Sequence, residues 1–131
     1  MKANPKIFKA NDIRGKYPGE LNEEVVLEIC AALKKFFPKK AKLVIGYDAR
    51  LSSPSLYKAL IKGLDGGQAV LVKAGFMTTP MLYFLVNELR ASGGVMVTAS
   101  HNPKEFNGLK VVKKGARPVS GEEMKKIVME K

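Results

Sequence analysis

The residue types best suited to chemistry lie together in the stretch Thr-Ala-Ser-His-Asn-Pro at 98–103. Ser100 offers a hydroxyl nucleophile, His101 can carry a proton, and Asn102 can fix an oxygen atom. Lys110 follows on the next apolar run, where its ammonium could balance the charge of a phosphoryl group. This set favours phosphoryl transfer through a serine. The same residues also fit an ordinary loop, and the residue types alone leave both interpretations open.

The segment Asn-Asp-Ile-Arg-Gly at 11–15 is a second candidate for phosphate contact. Arg14 has a planar guanidinium that suits phosphate oxygens, and Gly15 can adopt backbone angles that allow close approach to a ligand. An arginine in a surface turn would have the same local sequence. Farther along the chain, Asp48 and Arg50 are close enough in sequence to form a local ion pair, which we expect to be structural.

The apolar pattern predicts the elements that position these residues. Short apolar runs predict strands at 43–46, 69–72, 95–97 and 109–112. Capping residues predict helices that begin after Asn22, after Ser52 or Ser53, after Thr78 and after Ser120. From residue 43 onward the order is therefore strand, helix, strand, helix, strand, turn, strand.

This order predicts an α/β fold, a three-layer α/β/α domain with a mainly parallel, four-stranded mixed sheet. Asn107-Gly108 is typical of a turn, so the last strand is expected to run antiparallel at an edge. The strand at 69–72 is expected to be buried. Ligands of such sheets bind beyond the carboxyl ends of the strands. The loops that hold Asp48, Thr79 and Ser100 all follow strands, so the order alone predicts a site there.

The bulk properties fit a single domain of 131 residues, with 46% hydrophobic and 27% charged residues. The apolar runs are too short for a membrane span, and no signal-peptide pattern is present. Cys30 is the only cysteine, so no internal disulfide can form. These features predict a cytoplasmic protein.

The net charge of +11 is the unusual bulk property, because it would attract polyanions or phosphorylated ligands. Its lysines are scattered over several predicted elements, and no aromatic-rich basic stripe accompanies them. That distribution argues against nucleic acid as the partner.

Four motifs, in order, resemble segments of the α-D-phosphohexomutases, the phosphomannomutase/phosphoglucomutase family. They are FKANDIRG at 8–15, GYDARLSS at 46–53, GFMTTP at 75–80 and TASHNP at 98–103. Asn11 departs from the pattern, since many relatives have Tyr or Thr there. The resemblance covers almost the whole chain and identifies residues 1–131 as the N-terminal domain I of such an enzyme, with the later domains absent.

The resemblance implies an enzyme that interconverts hexose 1-phosphate and hexose 6-phosphate through a bisphosphate intermediate, with hexose 1,6-bisphosphate as activator. Ser100 would carry the phosphoryl group, and its phosphate would be one ligand of a Mg²⁺ ion. Arg14, His101 and Lys110 would surround the transferred phosphate, with His101 or Lys110 helping proton transfer. Asn102 would hold the loop. The resemblance leaves glucose, mannose and glucosamine phosphates open as substrates.

Other segments of that family are not found in this sequence, among them the Asp-x-Asp-x-Asp metal loop, the sugar-reading loop and the C-terminal phosphate-binding loop. Since one serine phosphate does not complete a Mg²⁺ site, we expect the chain alone to fold but to have little or no mutase activity. Its expected partners are a hexose phosphate and the missing domains of the same enzyme. The alternative is a stand-alone basic module that binds anions or phosphosugars without turnover.

Overall fold

The computed structural model describes residues 3–129. A short 3-10 helix at Pro5–Ile7 precedes a sheet and its helices. The strands are β1 (Ile13–Lys16), β2 (Lys42–Tyr47), β3 (Val70–Phe76), β4 (Gly93–Val97), β5 (Phe106–Lys113) and β6 (Arg117–Pro118). The helices are α1 (Glu23–Phe36), α2 (Ser53–Leu64), α3 (Thr79–Glu88) and α4 (Gly121–Met129).

The sheet has the strand order β1-β5-β4-β2-β3, with β6 paired to β5. Strand β2 runs parallel to both β3 and β4, whereas β5 runs antiparallel to β4 and to β1. The mixed, three-layer α/β/α architecture and the antiparallel direction of the strand after Ser100 are therefore confirmed.

Alternating side chains along the strands build a core on each face of the sheet. On β2, Leu43 and Ile45 join the larger core with α1, α2 and α4, whereas Val44 joins the smaller core with Leu82 and Val86 of α3. Successive side chains of a strand point to opposite faces. The helices therefore cover both faces of the sheet.

The prediction of four strands was wrong, because the sheet within residues 3–129 has six. β1 and β6 have four and two residues. Such segments are too short for an apolar periodicity to be visible in the sequence. Their pairing with β5 also moves that strand away from the edge where it was predicted.

The predicted turn at Asn107-Gly108 lies inside β5, and the connection from β4 is the loop at 98–105. Asn107 is fully buried, and its amide donates to the hydroxyls of Ser52 and Ser53 at 2.8 and 3.0 Å. Gly108 faces β1 so closely that a Cβ atom would lie 1.9 Å from the carbonyl oxygen of Ile13. Tertiary contacts thus place two turn-forming residues within a strand.

The prediction that the strand at 69–72 is buried was also wrong. β3 forms an edge of the sheet, and Val70 and Phe76 at its two ends are 60% and 61% exposed. No helix in residues 3–129 combines the length and the apolar character needed to cross a membrane.

The predicted helix caps are largely confirmed. Asn22 Oδ1 accepts from the N–H of Val25 at 3.0 Å, and Ser120 Oγ accepts from the N–H of Glu123 at 3.1 Å. Ser52 occupies the N-cap position of α2, but its side chain makes no capping hydrogen bond. The hydroxyl of Ser52 contacts Asn107 instead.

Candidate functional site

The loops that follow β2, β3 and β4 meet at the carboxyl ends of these strands and enclose an open cleft of about 620 Å³. Its lining includes Asp48 after β2, Thr78 after β3, Ser100 and His101 after β4, and Lys110 on β5. The structure therefore brings together Ser100, His101 and Lys110, which were singled out in the sequence, at the edge of the sheet that the order of elements predicted.

Ser100 is exposed, and its backbone is in the left-handed region with φ at 57°. Its N–H donates to the hydroxyl of Thr98 at 3.0 Å. This conformation is uncommon for a non-glycine residue, and contacts from the surrounding structure can offset its cost. The next residue, His101, is exposed too. The hydroxyl nucleophile and the imidazole thus stand at the mouth of the cleft.

Arg50 contacts the main chain of the loop that holds Ser100. Its guanidinium donates to four main-chain carbonyl oxygens of the 98–106 segment. Nη1 donates to the carbonyls of Pro103 at 2.7 Å and Phe106 at 3.0 Å, and Nη2 donates to those of Ser100 at 3.1 Å and Asn102 at 2.7 Å. This role of Arg50 could not be predicted from the sequence, because main-chain carbonyl acceptors have no residue-type signature.

Asp48 holds Arg50 in position. Its Oδ2 lies 3.4 Å from Arg50 Nε, so the predicted local ion pair is confirmed. Its Oδ1 accepts from the Ser53 hydroxyl at 2.6 Å and from the Arg50 N–H at 3.1 Å. Both carboxylate oxygens are therefore used by neighbouring groups of the same motif.

Arg14 on β1 reaches the serine loop from the other side. Its Nε donates to Asp12 Oδ1 at 2.8 Å, and Asp12 is only 5% exposed. Its Nη1 donates to the side-chain oxygen of Asn102. Asn102 thereby ties the loop to β1, and about a third of the Arg14 side chain stays exposed, at 31%.

Lys110 is buried on β5, yet it lines the cleft. Its Nζ lies 5.9 Å from the centre of the Tyr83 ring. Within residues 3–129, no carboxylate forms an ion pair with this ammonium. Because buried charges are usually paired, an ammonium that lies near an aromatic ring and no carboxylate is well placed to bind an anion in the cleft.

The carboxylates near the cleft do not form a metal site. Asp12 is paired with Arg14 and Asp48 with Arg50. In the described range, no group of three or more His, Cys, Asp or Glu side chains is arranged to hold a metal ion. The residues present therefore do not fit a Mg²⁺ ion by themselves.

The lone thiol lies away from this chemistry. Cys30 is fully buried in the larger core. Burial raises the pKa of the Cys30 thiol well above its ordinary value, so it stays protonated and unreactive.

Comparison with known proteins agrees with the architecture. The family model described as phosphoglucomutase/phosphomannomutase, alpha/beta/alpha domain I, matches residues 5–130. Phosphohexose mutases of Xanthomonas campestris are 45% identical over 115 residues, which cover 88% of this chain and 25% of the relative. A phosphomannomutase of Klebsiella pneumoniae is 47% identical over 116 residues, which cover 88% of this chain and 73% of the relative.

Among solved structures, a phosphoglucomutase/phosphomannomutase family protein from Burkholderia thailandensis superposes with a TM-score of 0.81 and 32% identity. The alignment covers 96% of this chain and 30% of that one. The chain spans about a quarter of the length of the Xanthomonas campestris relative and of a phosphomannomutase of Escherichia coli that it also matches. On the family match over residues 5–130, the chain belongs to the phosphoglucomutase/phosphomannomutase family and carries its α/β/α domain I.

Proposed function

We propose that this domain carries the phosphoryl group of a phosphohexomutase on Ser100. The enzyme would interconvert hexose 1-phosphate and hexose 6-phosphate through a bisphosphate intermediate. The observation that supports this most is the placement of Ser100, an exposed hydroxyl in a left-handed turn that lines one cleft with the buried Lys110 ammonium. Relatives in Escherichia coli and Klebsiella pneumoniae are named phosphomannomutase.

The proposed step is a phosphoryl transfer from a hexose bisphosphate. The Ser100 oxygen bonds to phosphorus, and the bond from phosphorus to the sugar oxygen breaks. The hydroxyl proton passes to His101, and the sugar oxygen that leaves takes up a proton from water. Lys110 offsets the charge on the transferring group, as preorganised cations do in phosphoryl transfer.

We propose two roles for Arg14, one in holding the serine loop and one in binding the sugar phosphate. Its Nε and Nη1 are occupied by Asp12 and Asn102, and its exposed part would face the sugar phosphate.

A Mg²⁺ ion would add charge neutralisation, and its ligands other than the Ser100 phosphate would come from outside residues 3–129. We therefore propose that the chain alone takes up a phosphoryl group but supports little or no mutase turnover.

The surface beside the cleft fits a domain of a larger enzyme. Phe76, Met81 and Phe84 are 61%, 46% and 63% exposed, and Phe76 also lines the cleft. Exposed apolar patches commonly mark interaction sites. We propose that the remaining domains of the enzyme cover these side chains. We also place the enzyme in the cytoplasm.

Phosphoryl uptake tests this proposal. The chain is incubated with glucose 1,6-bisphosphate and Mg²⁺, and the intact mass is followed over time. We expect the wild type and Ser92→Ala, which changes a serine at the opposite end of β4, to gain one phosphoryl group, and Ser100→Ala to gain none. No uptake by any form, with hexose-phosphate binding unchanged in Ser100→Ala, would support the alternative function, an anion-binding module without turnover. The chain's net charge of +11 also favours such a module.

A further inference from the structure

We infer that Arg50 is a positioning residue for Ser100. Through its contacts with the main chain of the loop at 98–106, its guanidinium holds the serine in the conformation that exposes its hydroxyl. The inference deepens the proposed function and rests on it in one respect only, the assignment of phosphoryl transfer to Ser100. The contacts between the Arg50 guanidinium and the loop, called the clamp below, do not depend on that assignment.

The acceptors explain why this contact fixes conformation. They are the carbonyl oxygens of Ser100, Asn102, Pro103 and Phe106, at 2.7–3.1 Å from the guanidinium nitrogens. A carbonyl oxygen reports the orientation of its peptide plane, and two dihedral angles per residue set that orientation. By bonding the carbonyl of Ser100 itself, Arg50 selects the left-handed backbone at that residue.

The clamp is itself rigidly mounted. The Arg50 N–H donates to Asp48 Oδ1 at 3.1 Å, and the Arg50 carbonyl accepts from the N–H of Ser53, the first residue of α2, at 3.0 Å. The Arg50 side chain is only 14% exposed. Water therefore competes weakly for its donors, and these contacts connect the serine loop to the start of α2.

The chemistry of the guanidinium is specific. Its planar fork presents several donors in fixed directions, whereas a lysine ammonium presents its donors from one atom. Lysine at position 50 would keep the charge but could not reach four carbonyls and Asp48 together. Arg14 does not duplicate the clamp, because its bond within the loop goes to the side chain of Asn102 and not to the main chain.

The test compares Arg50→Lys and Arg50→Ala with the wild type and with Arg117→Ala. Arg117 is an exposed control whose Nε bonds one carbonyl, that of Lys114. Hydrogen exchange is followed at the amides of Asn102 and Phe106, which are hydrogen-bonded within the loop, and at Thr98, which is bonded to Gly108 of β5. Thermal unfolding and the kinetics of Ser100 phosphorylation by glucose 1,6-bisphosphate complete the set.

We expect both Arg50 variants to exchange the Asn102 and Phe106 amides at least about tenfold faster while Thr98 is unchanged, since only the loop is released. The maximal rate of phosphorylation should fall by about tenfold or more, with little change in the half-saturating bisphosphate concentration, because misplacement of a nucleophile affects the chemical step. Guanidinium ion at low concentration should restore part of the rate in Arg50→Ala but not in Arg50→Lys. The control should match the wild type.

Unchanged loop exchange in folded Arg50→Lys would overturn the clamp, and so would a rate loss that matches the unfolded fraction. If Arg50→Ala does not fold, the lysine variant alone decides. If the wild type takes up no phosphoryl group, the proposed function fails, while the exchange data still decide whether Arg50 holds the loop.

Discussion

The side chains of Arg14 and Asn102 are hydrogen-bonded although they are 88 residues apart in sequence. This bond joins β1, near the start of the chain, to the loop that carries Ser100. A strand at the sheet edge thereby becomes part of the site. The carboxylate of Asp12 holds the same guanidinium from behind.

Asn102→Ala removes the acceptor of that bond. We expect the unfolding free energy to fall by about 1 kcal/mol, the size of one hydrogen bond, and phosphoryl uptake by Ser100 to slow by about tenfold because the loop loses its side-chain bond to Arg14 of β1. Urea unfolding and uptake kinetics measure the two effects. Asn87→Ala, at an exposed position of α3, is the control, and equal kinetics in the two variants would refute the role given to Asn102.

Gly108→Ala should separate β1 from β5. The added Cβ would lie 1.9 Å from the Ile13 carbonyl oxygen and 3.0 Å from the Cα of Arg14. Overpacking of this kind costs about 3 kcal/mol, so the midpoint of urea unfolding should fall clearly. Gly19→Ala is matched to it, since no atom lies within 4 Å of its Cβ position. Similar stability of the two variants would show that β1 can shift to accommodate the added Cβ atom without loss of stability.

Lys110→Met tests the unpaired ammonium of the cleft. Affinity for glucose 6-phosphate should fall by about tenfold or more, because a charge-assisted hydrogen bond is lost, while stability should not fall, because a buried charge is replaced by an apolar group. Calorimetric titration and urea unfolding measure both. Lys113→Met, on the same strand but paired at 3.8 Å with Glu123, should keep its affinity. Equal losses in the two variants would indicate a general charge effect.

Tyr17→Phe should lose stability in a pH-dependent way. Burial raises the pKa of the Glu23 carboxyl, but hydrogen bonds from Ser55 and Tyr17, each 2.6 Å long, and from the Glu23 backbone N–H together outweigh it, and the pKa lies below its ordinary value. A carboxyl with a lowered folded pKa contributes stability above its unfolded pKa and loses it as the pH falls through the folded value.

The difference between wild type and Tyr17→Phe should therefore be about 1 kcal/mol at neutral pH and should shrink as the pH falls through the lowered pKa of Glu23. Urea unfolding at a series of pH values measures it. Tyr57→Phe is the control, because that hydroxyl contacts the Ile45 carbonyl and not a carboxylate. A constant difference across the pH range would rule out the Glu23 linkage.

The parts of this domain that were predictable are those encoded by local sequence. The caps at Asn22 and Ser120 and the strands around Val44 and Val95 follow from spacing and residue type, and so does the meeting of three loops at one end of the sheet. The turn predicted at Asn107 failed because a buried amide satisfied by hydroxyls from α2 overrides local preference.

The contacts within the site were harder to predict for a different reason. Arg50 binds carbonyls that are 50–56 residues away in the chain, and any residue type could have supplied them. The pairing of Asp48 with Arg50 was predictable from their spacing, whereas the use of Arg50 on the serine loop required the three-dimensional structure. A short motif can therefore be recognised before its physical role is known.

The return of the phosphoryl group from Ser100 is the most direct test of the proposed carrier role. The chain is charged with isotopically labelled phosphoryl from a hexose bisphosphate, freed of donor and then mixed with unlabelled glucose 1-phosphate and Mg²⁺. The account predicts that label leaves Ser100 and appears in glucose 1,6-bisphosphate, even if sustained mutase turnover is absent. Label that stays on Ser100, or that is released only as inorganic phosphate, would contradict it.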